Sequence, residues 1–197
     1  MKQAAINLDA FSSGQIKSKL WLCDTIEGIL HTDQPSPQVI WVLGGWYGVL
    51  SFLLLSRGKL PIKTIRSFDM DHEVCLISEK LNELWQRQPF IFKSISLAVN
   101  QISFTAHERY ESSKPTIVIN TSIEHMSSRA WFKSIPPGTW VALQTCDMKH
   151  PEHINLCYSQ QQLRADYPLT KEEFCGELYF DYKGASSFTR YMLIGKK

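Results

Sequence analysis

The stretch Val39–Leu50, reading Val-Ile-Trp-Val-Leu-Gly-Gly-Trp-Tyr-Gly-Val-Leu, constrains the fold of this chain more than any other. A run of β-branched and aromatic residues with no polar break predicts a strand buried on both faces, as in parallel sheets. Glycines at 44, 45 and 48 follow it, and the apolar segment Val49–Leu55 then predicts a helix. Glycine permits a tight turn and close backbone approach to a ligand, and the helix start presents free N–H groups. The same glycines also allow a helix to pack closely on a strand with no ligand involved. Strand, glycine loop and helix in this order make a nucleotide-type unit.

The rest of the chain alternates in a compatible way. Residues 1–11 are expected to be weakly ordered. A helix starts at Ser12 or Ser13, with Ile16, Leu20, Cys23, Ile26 and Leu30 recurring at intervals of three and four. His31–Gln38, with Pro35 and Pro37, reads as a loop. Ile62–Phe68 is the second strand, and Asp71 is placed to cap a helix from His72 to about Arg87, before Pro89. A third strand lies within Phe90–Val99, and Gln101–Lys114 is a short helix or loop. Thr116–Asn120 and Thr139–Thr145 are the fourth and fifth strands, separated by a helix over Ile123–Ser134. Met148–Leu169 is polar, with room for one short helix. Thr170 and Glu173 form a capping box that predicts one or two more helical turns. Glu177–Tyr182 and Phe188–Ile194, joined by Lys183–Ser187, read as a closing β-hairpin. Strands alternating with helices favour a mostly parallel sheet covered on both faces.

Composition narrows the class. The apolar fraction is 44%, the charged fraction 20% and the net charge +2, so nothing favours nucleic acid as a partner. Arg57, Lys59, Lys63 and Arg66 form a basic cluster that reads as a solvated helix end and loop. Five cysteines, at 23, 75, 146, 157 and 175, include no Cys-x-x-Cys pair. That pattern points to reduced thiols and against a disulfide framework or a structural zinc site. The start is too polar for a signal peptide, and three glycines interrupt the longest apolar stretch, so no membrane span is expected. The expected location is cytoplasmic.

On these residues the chain resembles the class I S-adenosylmethionine-dependent methyltransferases, over roughly residues 15–195. The resemblance implies a Rossmann-like α/β fold. This is a three-layer α/β/α sandwich around a mostly parallel seven-stranded sheet, with an antiparallel C-terminal hairpin. It makes 1–197 a single methyltransferase-like domain, in which 1–37 supplies an N-terminal helix and loop. Leu43-Gly44-Gly45-Trp46-Tyr47-Gly48 is similar to the family's glycine loop, with Gly44 and Gly48 in the outer positions. Trp46 replaces the middle glycine, and Val42 replaces an acid that often holds the methionine ammonium. Asp69 ends the second strand, where a carboxylate can accept both ribose hydroxyls. The resemblance assigns Met70 to the adenine face and Asn100 to the adenine amine, although an Asn there is also a common turn former. It places Asn120 at the cofactor's methionine end, beyond the fourth strand.

Glu124 and His125 follow closely and are the candidates for the acceptor side. An imidazole, with an unperturbed pKa of about 6.5, is suited to take a proton from the attacking group. The alternative is a helix start, with Ser122 as cap, Glu124 favourable in the first turn and His125 on the surface. The sulfonium is already activated, so positioning alone supplies much of the rate and no triad or metal is required. His150 and His153 read as plain surface, and no metal is expected. Asp147 follows the fifth strand and by position could line the acceptor pocket.

The function so implied is methyl transfer from S-adenosylmethionine to an acceptor of unknown class, with a small molecule narrowly ahead on net charge. Two alternatives keep the fold: a non-catalytic methyltransferase-like subunit that binds the cofactor, and an aminocarboxypropyl-type transferase. A nicotinamide-dependent oxidoreductase is disfavoured by Leu43, where its glycine motif begins. The sequence carries no indication of oligomeric state.

Overall fold

In the computed structural model, residues 6–33, 36–87, 90–182 and 187–197 are described. Seven strands form one sheet: β1 (Gln38–Leu43), β2 (Ile62–Asp69), β3 (Phe92–Ser96), β4 (Ile117–Asn120), β5 (Trp140–Cys146), β6 (Lys171–Phe180) and β7 (Phe188–Lys196). Their order is β3-β2-β1-β4-β5-β7-β6. The first five run parallel, and β7 runs antiparallel to both β5 and β6. This is the Rossmann-like architecture and the reversed C-terminal hairpin expected from sequence. Leu43 stands level with Phe68 on β2 and with Asn120 on β4, so three strand ends open at one height. The chain turns from β1 toward β2 on one side and β4 on the other, and that reversal is where open sheets form a ligand crevice.

Strand side chains alternate between faces, and β1 shows why both must be covered. Ile40 and Val42 pack with Leu22, Ile26 and Leu30 of α1 (Ser13–Asp33) and with Leu50 and Leu54 of α2 (Val49–Arg57). Val39, Trp41 and Leu43 face the other way, toward Phe104 and Tyr110 of the β3–β4 connection. Trp131 and Phe132 of α4 (Ala130–Ser134) and Leu163 of α5 (Gln160–Asp166) complete that second layer. Trp41 is fully buried there, 5.3 Å from the stacked ring of Phe104 and 5.3 Å from Tyr110 edge-on. Helices α1 and α2 thus share one face, with α3 (His72–Leu81) packed beside α2 through Val74, Ile77 and Leu81, and short turns with α4 and α5 close the other. No helix among the described residues is long and apolar enough to cross a membrane.

Several segments depart from the sequence expectation for identifiable reasons. Leu8–Phe11 forms a 3-10 turn capped by Asn7, because Ala10 is buried against Tyr47 and Val49. The helix from His72 ends at Leu81, since Asn82 turns inward to donate to the carbonyls of Gly48 and Ser78. Pro89 lies outside the described residues. The helix expected over Ile123–Ser134 splits into a 3-10 turn, Ile123–His125, and α4. Ser128 sits at the break and accepts from Ala130 N–H, the local bond by which serine competes with helix. The Thr170–Glu173 capping box does not form. Thr170 gives its N–H and its hydroxyl to the Lys196 carbonyl at 2.9 and 3.0 Å, and Lys171 onward pairs with β7. The hairpin connection, 183–186, lies outside the described residues.

The basic cluster is solvated only in part: Lys59 and Lys63 are exposed as expected, whereas the two arginines are not. Arg57 is paired with Asp24 and the buried Glu27. Arg66 is buried in β2 and donates to the backbone carbonyls of Tyr110, Ile65 and Glu111. Burial lowers the Arg66 pKa. Both guanidiniums are spent on the fold.

Candidate active site at the strand ends

The β1–α2 loop is held from both sides. Gly44 and Gly48 take left-handed backbone angles, φ +65° and +71°, and Trp46 between them does so at +47°. Left-handed backbone is costly for a side-chain-bearing residue and persists only where the surroundings fix it. Gly45 N–H donates to the Phe68 carbonyl at 2.9 Å, and Trp46 N–H donates to Asp69 Oδ2 at 3.0 Å. On the other side the Ser122 hydroxyl donates to the Gly44 carbonyl at 3.2 Å. The loop therefore spans the crevice from the end of β2 to the segment leaving β4.

Two glycines are needed for packing. A Cβ at Gly45 would stand 1.9 Å from Ser67 Oγ, and one at Gly48 would stand 2.2 Å from Ser78 Oγ. Close packing of the loop, on β2 at Gly45 and on α3 at Gly48, accounts for those two positions. Gly44 instead looks toward Ser122 and Met126, at 3.1 and 3.2 Å, on the β4 side. Trp46 and Tyr47 stack on each other at 5.1 Å and pack with Ala10, Val49, Val74 and Ile77.

Asp69 is the best-placed acid. Its Oδ1 accepts Asp71 N–H at 3.1 Å and its Oδ2 accepts Trp46 N–H. Burial pushes its pKa up in spite of those donors. Asp71 is occupied otherwise, capping α3 through Glu73 and Val74 N–H, as its position in the sequence predicts. Met70, between them, is 78% exposed, which is unusual for a large apolar side chain and leaves a shelf beside the carboxylate. Asn100 lies exposed on the 3-10 turn Val99–Gln101, past the end of β3. Asn120 is fully buried at the tip of β4: its Oδ1 accepts Ser122 N–H at 2.9 Å, and its Nδ2 has no partner among the described residues.

Glu124 and His125 diverge in environment. His125 is exposed. Glu124 is 3% exposed, with Oε1 at 3.6 Å from Arg190 and accepting the Cys146 thiol at 3.6 Å. Asp147 Oδ1 accepts Thr189 N–H at 2.7 Å and latches β7. Sequence reasoning gave Ser122 only as a helix cap and missed Arg190 and Lys19. Nothing local marks these roles, since each residue acquires its role from a segment distant in the chain.

Lys19 of α1 is buried near Arg190 and Glu124, with Nζ donating to Gln15 Oε1 at 2.6 Å. Burial first, and the Arg190 charge second, pull its pKa from 10.5 down to about 7. Between those values the unfolded chain holds a proton that the folded protein has released, so stability rises with pH. Relative to Lys19→Met, the wild type should gain about 1 kcal/mol between about pH 6.5 and about pH 8. Urea midpoints at each pH measure this difference. The thiols of Cys23 and Cys146, pushed up to about 12 by burial, act in the opposite direction at alkaline pH but cancel between the two proteins. A difference independent of pH contradicts the buried-ammonium account.

Comparisons with known proteins agree with this geometry at the level of fold. No protein-family profile matches the chain, and no curated protein matches it. Solved structures do. Magnesium protoporphyrin IX methyltransferase from Synechocystis PCC 6803, with bound SAH, superposes with a TM-score of 0.62 at 10% identity, over 98% of this chain and 89% of that one. The YcgJ protein from Bacillus subtilis gives 0.64 at 10% identity, over 90% and 98%. A geranyl diphosphate methyltransferase in complex with GPP and sinefungin gives 0.62 at 11% identity, over 92% and 77%. The chain has the fold of the class I S-adenosylmethionine-dependent methyltransferases.

Proposed function

We propose that this protein is an S-adenosylmethionine-dependent methyltransferase whose cofactor lies across the ends of β1, β2 and β4. The observation that carries the reading is the desolvated Asp69 carboxylate, bonded to the Trp46 amide of the glycine loop at the point where strand order reverses. The donors and acceptors present suit that group. Each Asp69 oxygen accepts one backbone N–H and has capacity for a ribose hydroxyl as well. Met70 offers an exposed apolar surface to the adenine, with Asn100 on the following turn. The unpaired Nδ2 of Asn120 supports a polar contact at the methionine end, beside Gly44 and Gly45. When bound, the cofactor supplies a methyl group on a positively charged sulfur, already activated toward attack.

The chain's own contribution is then positioning, which supplies much of the rate for such a transfer. The acceptor approaches from the side of Glu124 and His125. A surface groove of about 780 Å³ runs there, lined by Met126, Arg129, Ile154 and Asn155. One observation favours a second reading. Val42 stands where an acid would meet the methionine ammonium, and Trp46 bends left-handed in place of a glycine, as in a subunit that binds the cofactor without turning it over.

Incubation with methyl-labelled S-adenosylmethionine and fractionated cell extract separates these. Label in the small-molecule fraction, with S-adenosylhomocysteine as co-product, is the expected result. Methylthioadenosine as co-product assigns aminocarboxypropyl transfer, since the methyl then stays on sulfur. Cofactor binding with no product in any fraction assigns the non-catalytic role.

A further inference from the structure

We infer that Glu124, His125 and His153 form a binding site for a divalent transition-metal ion. The three come from two connections that the fold brings together: the turn Ile123–His125 after β4 and the loop after β5. Ile154 and Asn155 N–H both donate to the Glu124 carbonyl, at 2.9 and 3.0 Å, and fasten one connection to the other. Each of the three side chains offers one ligand atom, and these atoms lie within 4.8 Å of one another. The rings of His125 and His153 meet edge to face, with centroids 4.8 Å apart.

Two further observations point to a ligand. His153 Nδ1 is 2.7 Å from the carbonyl oxygen of Met148. A carbonyl only accepts, so Nδ1 carries a proton, and in the neutral ring that leaves the lone pair on Nε2. Metal-binding imidazoles are oriented by this kind of outer bond to a carbonyl. Glu124, in turn, is buried with Oε1 toward Arg190 and Cys146, and its Oε2 has no hydrogen-bond partner among the described residues. A buried carboxylate oxygen without a donor is unfavourable, and a cation removes that cost.

Two imidazoles and one carboxylate are a ligand set for zinc and neighbouring first-row ions, and three protein ligands leave a position open. Magnesium and calcium prefer oxygen throughout. The groove past Met126 and Ile154 starts at the residues adjoining His125 and His153, so an incoming group has a path to the open position. The site departs from the sequence expectation of no metal, in which His153 was surface only. It stands independently of the methyl-transfer reading; under that reading it lies on the acceptor side.

The test is equilibrium dialysis of the purified full chain against zinc chloride alone, and separately manganese chloride, with metal content read by mass spectrometry. One ion per chain is expected, with a rise in melting temperature on loading. His125→Ala and His153→Ala should each weaken binding by more than about tenfold, beyond the lower bound seen when only an outer-shell partner is lost. His150→Ala, next to His153 but outside the triad, should bind as wild type does. Both triad histidines reach the surface, so the variants are expected to fold, and circular dichroism checks this. If either alanine variant unfolds, the glutamine variants at 125 and 153 replace it. Absence of stoichiometric uptake of either ion overturns the proposal. So does uptake that survives the His125→Ala, His153→Ala double variant or that follows His150.

Discussion

Replacing Asp69 by alanine is expected to weaken S-adenosylhomocysteine binding by about 1.5–3 kcal/mol, roughly 10- to 150-fold, the scale of a charge-assisted hydrogen bond. The expectation rests on two roles that one carboxylate combines. It is proposed to receive the ribose hydroxyls, and it already anchors the loop through Trp46 N–H and the start of α3 through Asp71 N–H. Asp69→Asn separates the two, because an amide oxygen can keep one backbone bond while the negative charge is lost. Isothermal calorimetry on both variants, with thermal melts to establish folding, reads the difference. Unchanged affinity in a folded Asp69→Ala protein removes the ribose role from this residue.

The second large effect is on stability. Gly48→Ala should destabilise the fold by about 3 kcal/mol, combining left-handed backbone strain with overpacking of a filled site. The added Cβ would stand 2.2 Å from Ser78 Oγ and 2.7 Å from Asn82 Nδ2, and both side chains are buried. Gly58 isolates the strain component. It has nearly the same backbone, φ +62°, and a Cβ added there would meet nothing within 4 Å. Gly58→Ala should therefore cost only about 1–2 kcal/mol. Equal urea midpoints for the two variants would mean that the contact of the β1–α2 loop with α3 does not constrain it.

What the sequence disclosed was local, and the limits follow from that. The strand–loop–helix at Val39–Arg57 carries its own signals, a buried run followed by glycines, and forms as expected. Asp71 caps α3 within its own turn, again a short-range event. Thr170 and Glu173 have an equally good local signal, yet β7 captures the segment, because nine paired residues along a ten-residue strand outweigh one cap. The second face of the sheet was illegible for a related reason. Phe104 and Tyr110 lie in a stretch without periodicity, and only their contact with Trp41 gives them a place. At the site, Asp69 and Asn120 were accessible from strand ends. The Arg190 partner of Glu124 and the approach of His153 to His125 depend on the reversed hairpin and on the β5 connection folding back.

The central claim is that the crevice at the ends of β1, β2 and β4 binds S-adenosylmethionine, and calorimetric titration with S-adenosylhomocysteine tests it most directly. The folded wild-type protein is predicted to show one saturable event per chain in the micromolar range, about −7 to −8 kcal/mol. Two temperatures are needed, because burial of apolar surface makes the binding heat temperature-dependent and able to vanish at one of them. A micromolar isotherm that is lost in folded Asp69→Ala supports the claim. No heat at either temperature, from protein that melts cooperatively, contradicts it.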